Sequence, residues 1–176
     1  MTAARADRVE ASGLGRAALG SAVFFLAAPG TVAGLAPFLM TRWVRVSEVP
    51  AWMSLGGAVL IIVGIASLVE SFVRFVVHGH GTPAPAAPPT RLVVSGQYRH
   101  VRNPMYVALV AIVAGQAVWF GSSAVLIYTG VLWALFHLRV VTHEEPTLAR
   151  QFGDAYDEYR QGVRRWTPRI NPWSSG

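Results

Sequence analysis

Two polar stretches interrupt an otherwise apolar chain: YRHVRNPMY at residues 98–106 and LRVVTHEEP at residues 138–146. In the first, Arg99 and Arg102 precede an Asn103-Pro104 step, which predicts a helix start. Asparagine can cap orphan backbone N–H groups, and proline fits the first turn, where it loses no hydrogen bond. A helix N-terminus beside two guanidiniums suits an anionic group. An ordinary capped helix with arginines at lipid headgroups explains the same residues. In the second stretch, the adjacent carboxylates Glu144 and Glu145 repel each other and call for an arginine, a cation or a helix N-terminus as partner. Capping a helix that opens at Pro146 is the plainer role. If both stretches reach one rim, with Tyr98, Tyr106, Tyr156 and Tyr159 nearby, that rim suits a zwitterionic, ring-bearing ligand.

The surrounding elements decide whether they do. The chain has 176 residues, 53% of them hydrophobic and 14% charged, with a mean hydropathy of +0.41, which indicates a small integral membrane protein. Apolar runs at 17–40, 50–77, 104–120 and 122–141 predict four transmembrane helices, the last two joined in a hairpin at Gly121. The first run is too long for the apolar region of a signal peptide and is expected to be a retained span. All 15 basic residues are arginine. Thirteen fall in the N-terminal tail, residues 74–102 and the segment from Arg139 onward, against Arg42 and Arg45 on the other side. This asymmetry predicts that both termini are cytoplasmic, in a bacterial-type inner membrane, and it reflects orientation instead of nucleic-acid binding. The chain has no cysteine, which excludes disulfides and thiolate chemistry. His78 and His80 lack a carboxylate companion, so no metal site is expected. His100 and His143 are the nearby bases.

Glu70 and Arg74, spaced i, i+4, can pair on one face where the second span leaves the bilayer. Residues 78–103 then form a cytoplasmic loop with a stiff, proline-rich portion at 79–89. Within 142–176, Leu148, Phe152, Tyr156, Tyr159 and Val163 recur at helical spacing, predicting an amphipathic helix from Pro146 to Val163. It would lie on the membrane surface or over a site formed by the loops. The expected fold class is therefore all-α: a polytopic membrane protein of about four transmembrane helices plus a C-terminal amphipathic helix.

The run GTPAPAAPPTRLVVSGQYRHVRNPMY, followed about forty residues later by HEEPTLARQFGDAYDEYRQGVRRWTP, resembles the isoprenylcysteine carboxyl methyltransferase and phospholipid methyltransferase family of integral membrane enzymes. The resemblance covers residues 79–168 and implies S-adenosylmethionine as cofactor. By that resemblance the cofactor lies against Leu92, Val93, Tyr98, Asn103, Pro104, Tyr106 and the acidic pair Glu144 and Glu145. Arg102 matches the arginine of the family's Arg-His-Pro turn and would orient a cofactor carboxylate or an acidic substrate. Arg164 or Arg165 matches a late basic position. Asn103 stands where many eukaryotic members have histidine. Val140 stands where prenylcysteine methyltransferases have an arginine resembling a grip for the substrate carboxylate. Arg139 is one step away, about 100° around an α-helix, which counts against a prenylcysteine substrate. The implied activity is methyl transfer to a lipophilic small molecule or lipid at the cytoplasmic interface. A small four-helix transporter using Glu70, or a non-catalytic membrane scaffold, are the alternatives.

Overall fold

The computed structural model describes residues 27–79 and 91–174. The start of the first predicted span, Arg5, Arg8, Arg16, His80 and most of the proline-rich portion lie outside the described residues. The described residues form helices and turns with no strand. Helix α1 covers Ala27–Thr41 and α2 Ala51–Gly79. A 3-10 turn at Gly96–Arg99 precedes α3, Pro104–Phe120, and α4, Ser123–Arg139. A π turn at Val140–Glu144 carries α4 without a break into α5, Glu145–Phe152, and α6 follows at Asp154–Gly162.

Helix α3 is the centre of the packing. It meets α2 along small residues that let the two backbones touch. A Cβ on Gly57 would stand 2.7 Å from the Gly115 carbonyl oxygen, and one on Gly115 would stand 2.6 Å from that of Gly57. Gly64, two turns along, is held as closely, with Ile112 Cγ1 at 2.7 Å from the same virtual atom. Gly57→Ala should therefore force the helices apart and lower stability by roughly 1–3 kcal/mol. Gly56→Ala, facing open space, should melt like the wild type in detergent. Equal melting of the two variants would contradict this crossing.

The α3–α4 hairpin turns on Gly121, whose φ of +63° suits glycine, and Ser122 Oγ accepts from the Val125 N–H at 3.3 Å. In α1 a π-helical stretch at Thr31–Leu35 lets two carbonyls accept side-chain bonds. Tyr128 Oη donates to Val32 O at 3.0 Å and Gln116 Nε2 to Ala33 O at 2.7 Å, tying α1 to the hairpin. The outer faces of α2 and α4 expose Leu55, Ile62, Val63, Leu126, Ile127 and Leu135. An apolar exterior of this kind fits lipid. Two helices, Ala51–Arg74 within α2 and the continuous Ser123–Phe152, are long and apolar enough to cross a membrane. The described part of α1 and the 17-residue α3 are shorter.

The C-terminal region departs from the predicted single helix opening at Pro146. Its first half continues α4, because the π turn accommodates the proline. Pro146 has no N–H for the Thr142 carbonyl and its ring would crowd it, and widening the turn relieves both. The second half is separated at Gly153, with φ +53°. The apolar face of the two pieces is covered by the loop: Tyr156, Tyr159 and Val163 are buried against Leu92, Val94 and Trp173. The amphipathic segment thus packs its apolar face on the loop and the tail.

Candidate functional site

The two polar stretches converge at one end of the bundle. The start of α3 supplies Arg102, Asn103, Pro104 and Tyr106, and the end of α4 with the π turn supplies Arg139, Glu144 and Glu145. Two separate carboxylate clusters result, because Glu144 and Glu145 point in different directions.

Glu145 is the buried one. Arg165 grips it with Nε at 2.6 Å from Oε1 and Nη2 at 2.8 Å from Oε2, while Arg102 Nη1 lies 3.1 Å from Oε1 and also donates to Tyr156 Oη at 3.3 Å. Burial alone would raise the Glu145 carboxyl, but the Arg165 hydrogen bonds and the charges of Arg102 and Arg165 outweigh it and hold the carboxyl below its ordinary value. The same hydrogen bonding raises the Arg165 guanidinium. Arg102 Nε is buried with no hydrogen-bond partner among the described residues.

Glu144 faces the rim. Tyr106 Oη donates to its Oε1 at 2.5 Å, and Arg139 Nε lies 2.8 Å from the same oxygen. Arg139 is half exposed, with 53% of its side chain accessible. The 100° offset expected between Arg139 and the Val140 position assumes an α-helix, whereas this segment is wound as a π turn. In the π turn the Glu145 N–H reaches the Val140 carbonyl five residues back, so a five-residue spacing closes one turn and Arg139 comes onto Glu144. Val140, at the family's arginine position, is buried at 1% exposure.

Asn103 does not cap α3 through its side chain as predicted. Its Nδ2 donates to Arg165 O at 3.1 Å, because the tail runs alongside the loop and offers that carbonyl. The tail binds this loop through its backbone as well: Arg102 N–H to Arg164 O at 2.9 Å, Arg169 N–H to His100 O at 3.0 Å and Trp173 N–H to Arg99 O at 2.9 Å. Arg164 contributes this carbonyl and is itself exposed, so of the two late arginines Arg165 reaches the acidic pair. Trp173, which sequence reasoning missed, packs on Tyr159 and on Gly162, where no side chain would fit. A lone tryptophan near a chain end carries no local signal of such a role.

Val93 and Tyr98 are buried, while Leu92 packs against the Tyr156 cluster. Burial, with the neighbouring Tyr159, Glu70 and Glu144, pushes the Tyr98 phenol well above its usual value. Tyr159 Oη donates to Tyr98 O at 2.6 Å. His100 Nδ1 sits 2.8 Å from Arg169 O. Glu70 pairs with Arg74 at 2.9 Å, whereas the transporter alternative needs an unpaired carboxylate. Among the described residues, no group of three or more histidine or acidic side chains is arranged to hold a metal ion.

Residues 52–155 match the model of the family described as phospholipid methyltransferase, a stretch running from α2 through α5 into α6. The chain belongs to the phospholipid methyltransferase family. It is 38% identical over 80 residues to the protein-S-isoprenylcysteine O-methyltransferase of Schizosaccharomyces pombe, covering 45% of this chain and 34% of that protein. The match thus spans about a third of that curated relative. An uncharacterized protein of Haemophilus influenzae is 32% identical over 62 residues, 35% of this chain and 98% of that one. The family match includes Arg102, Tyr106, Arg139, Glu144 and Glu145. It ends before Tyr156 and Arg165, so the tail closes the Glu145 cluster from outside the matched segment.

Proposed function

We propose that the chain is an S-adenosylmethionine-dependent methyltransferase acting on a lipophilic small molecule or lipid at the cytoplasmic face of an inner membrane. In this reading α1 and α3 are spans alongside the two longer helices, and both termini are cytoplasmic, as the arginine distribution favours. The observation that carries the proposal is the meeting of the α3 start with the π turn: Tyr106 and Arg139 on Glu144, and Arg102 on Glu145.

The residues fit the cofactor. The buried Arg102 Nε without an acceptor suits its carboxylate, Glu144 at the rim suits its ammonium, and buried Val93 and Tyr98 offer an apolar wall. When bound, the cofactor supplies an activated methyl group on a sulfonium for in-line displacement. The chain's own task is to hold the two reactants in line and keep water away. Tyr106 fixes the Glu144 carboxylate by its hydrogen bond, and the Arg102–Glu145–Arg165 cluster fixes the loop beneath it. Half-exposed Arg139 is placed to take an acidic group of an acceptor arriving from the bilayer. The π turn thereby restores an acidic, prenylcysteine-like acceptor as a candidate, since the guanidinium stands over the first glutamate despite its shifted position.

Titrating the purified protein in detergent with S-adenosylhomocysteine tests the assignment. The wild type should bind, and Glu144→Ala should bind more weakly by roughly 1–3 kcal/mol. Failure of the wild type to bind would favour the scaffold alternative. Equal binding by both would remove Glu144 from the site.

A further inference from the structure

Glu70 is an ionisable residue that the proposed site leaves unused, yet its surroundings are built with care. The 3-10 turn docks on α2 through Gln97, whose Oε1 accepts from Ser67 Oγ at 2.5 Å and lies 3.4 Å from Ser71 Oγ. This sets Ser95 and Gly96 against the next turn of α2. Gly96 has φ +57°, and a Cβ there would stand 2.4 Å from Glu70 Oε1 and 2.8 Å from Arg74 Nε. A side chain is thus excluded from this position twice, by conformation and by space.

Two polar atoms next to this cradle are left over. Glu70 Oε1 is taken by Arg74, but Glu70 Oε2 is buried with no hydrogen-bond partner among the described residues, and so is Ser95 Oγ, next to Gly96 in the chain. Native structures rarely strand such atoms. Because Arg74 already balances the carboxylate charge, the orphaned oxygen is better matched to a neutral donor than to a second cation. A carboxylate oxygen and a serine hydroxyl on two elements that meet at Gly96 would complement two adjacent hydroxyl groups: one donates to the carboxylate, and the other exchanges a hydrogen bond with the serine. The location fits a ligand shared with the rim, since Ser95 opens the 3-10 turn that carries Tyr98.

We propose that Glu70 Oε2 and Ser95 Oγ hold the ribose hydroxyls of the nucleoside cofactor, with Gly96 letting the loop close onto the Glu70–Arg74 pair that orients the carboxylate. This rests on the methyltransferase reading and extends it to Glu70 and Ser95, to which the family resemblance gives no role. In the competing reading the Glu70–Arg74 pair only latches the loop to α2.

Equilibrium binding to the full-length protein in detergent separates the two, using S-adenosylhomocysteine and its 2′-deoxy and 3′-deoxy analogues as probes. The wild type should prefer the parent ligand over at least one deoxy analogue by roughly tenfold or more. In Glu70→Gln that preference should collapse, with the parent weakened and the deoxy analogue little changed. Ser95→Ala, which removes a single oxygen, should reduce the preference in the same sense and keeps the test valid if Glu70→Gln folds poorly. A latch would weaken parent and analogue alike, and that result, or a wild type with no preference, overturns the proposal while leaving the methyltransferase reading intact. A wild type that binds none of the ligands removes that reading and the ribose assignment together.

Discussion

Glu145→Ala is expected to cost about 3–5 kcal/mol, the usual penalty for stranding one partner of a buried ion pair. Only 9% of the Arg102 side chain and 11% of the Glu145 side chain are accessible, so water cannot replace the lost carboxylate. Arg165 loses both of its hydrogen bonds in the same step. The tail that Arg165 anchors also carries the carbonyls that receive Asn103 Nδ2 and the Arg102 N–H. The loss should therefore appear in two measurements: a lower melting temperature in detergent, and faster proteolysis of the segment after Phe152. Replacing Glu145, Arg102 and Arg165 together by leucine should recover much of the stability, because a well-packed apolar cluster can match a buried ion network. A single Glu145→Ala variant that melts with the wild type would contradict this account of the cluster.

The same residue gives the cluster a pH dependence of definite sign. The Glu145 carboxyl is held below its ordinary value in the folded protein. Its contribution is thus complete above the unfolded carboxyl range near ~4.3 and is lost as pH falls through the folded value. Melting should drop on acidification below that range in the wild type and change less steeply in Glu145→Gln.

Much of this arrangement follows from local chemistry that a sequence displays. Gly121 with its serine neighbours specifies a tight hairpin, Pro104 a helix start, and the i, i+4 spacing of Glu70 and Arg74 a pair on one face; the structure has all three. The spacing of Tyr156, Tyr159 and Val163 marks a buried face, although periodicity alone does not say what covers it. What local chemistry leaves open is any outcome settled by a distant segment. Asn103 has a cap within reach, but a tail carbonyl 62 residues along the chain competes for its amide and takes it. Arg164 and Arg165 are indistinguishable as letters, and the path of the tail past the loop decides which of them meets Glu145.

The π turn is the clearest case of this limit, and it yields the second large prediction. Counted as an α-helix, the chain carries its arginine one position too early, and exchanging Arg139 with Val140 ought to repair the grip four residues before Glu144. Counted with the π turn, the exchange should be ruinous. Arg139 already contacts Glu144 at 2.8 Å across five residues, whereas Val140 is packed at 1% exposure. A guanidinium placed there would be buried without a partner and should cost roughly 3–5 kcal/mol. Val140→Arg alone should be nearly as damaging, since the damage comes from burial and not from the loss of Arg139. By contrast, Arg139→Leu removes a half-exposed side chain and should fold and bind S-adenosylhomocysteine within a few-fold of the wild type. Its KM for an acidic lipophilic acceptor should rise roughly tenfold or more, the size of a lost charge-assisted hydrogen bond. An exchange variant that folds and turns over such an acceptor like the wild type would show that this helix is wound as an ordinary α-helix, and that Arg139 does not stand over the glutamate.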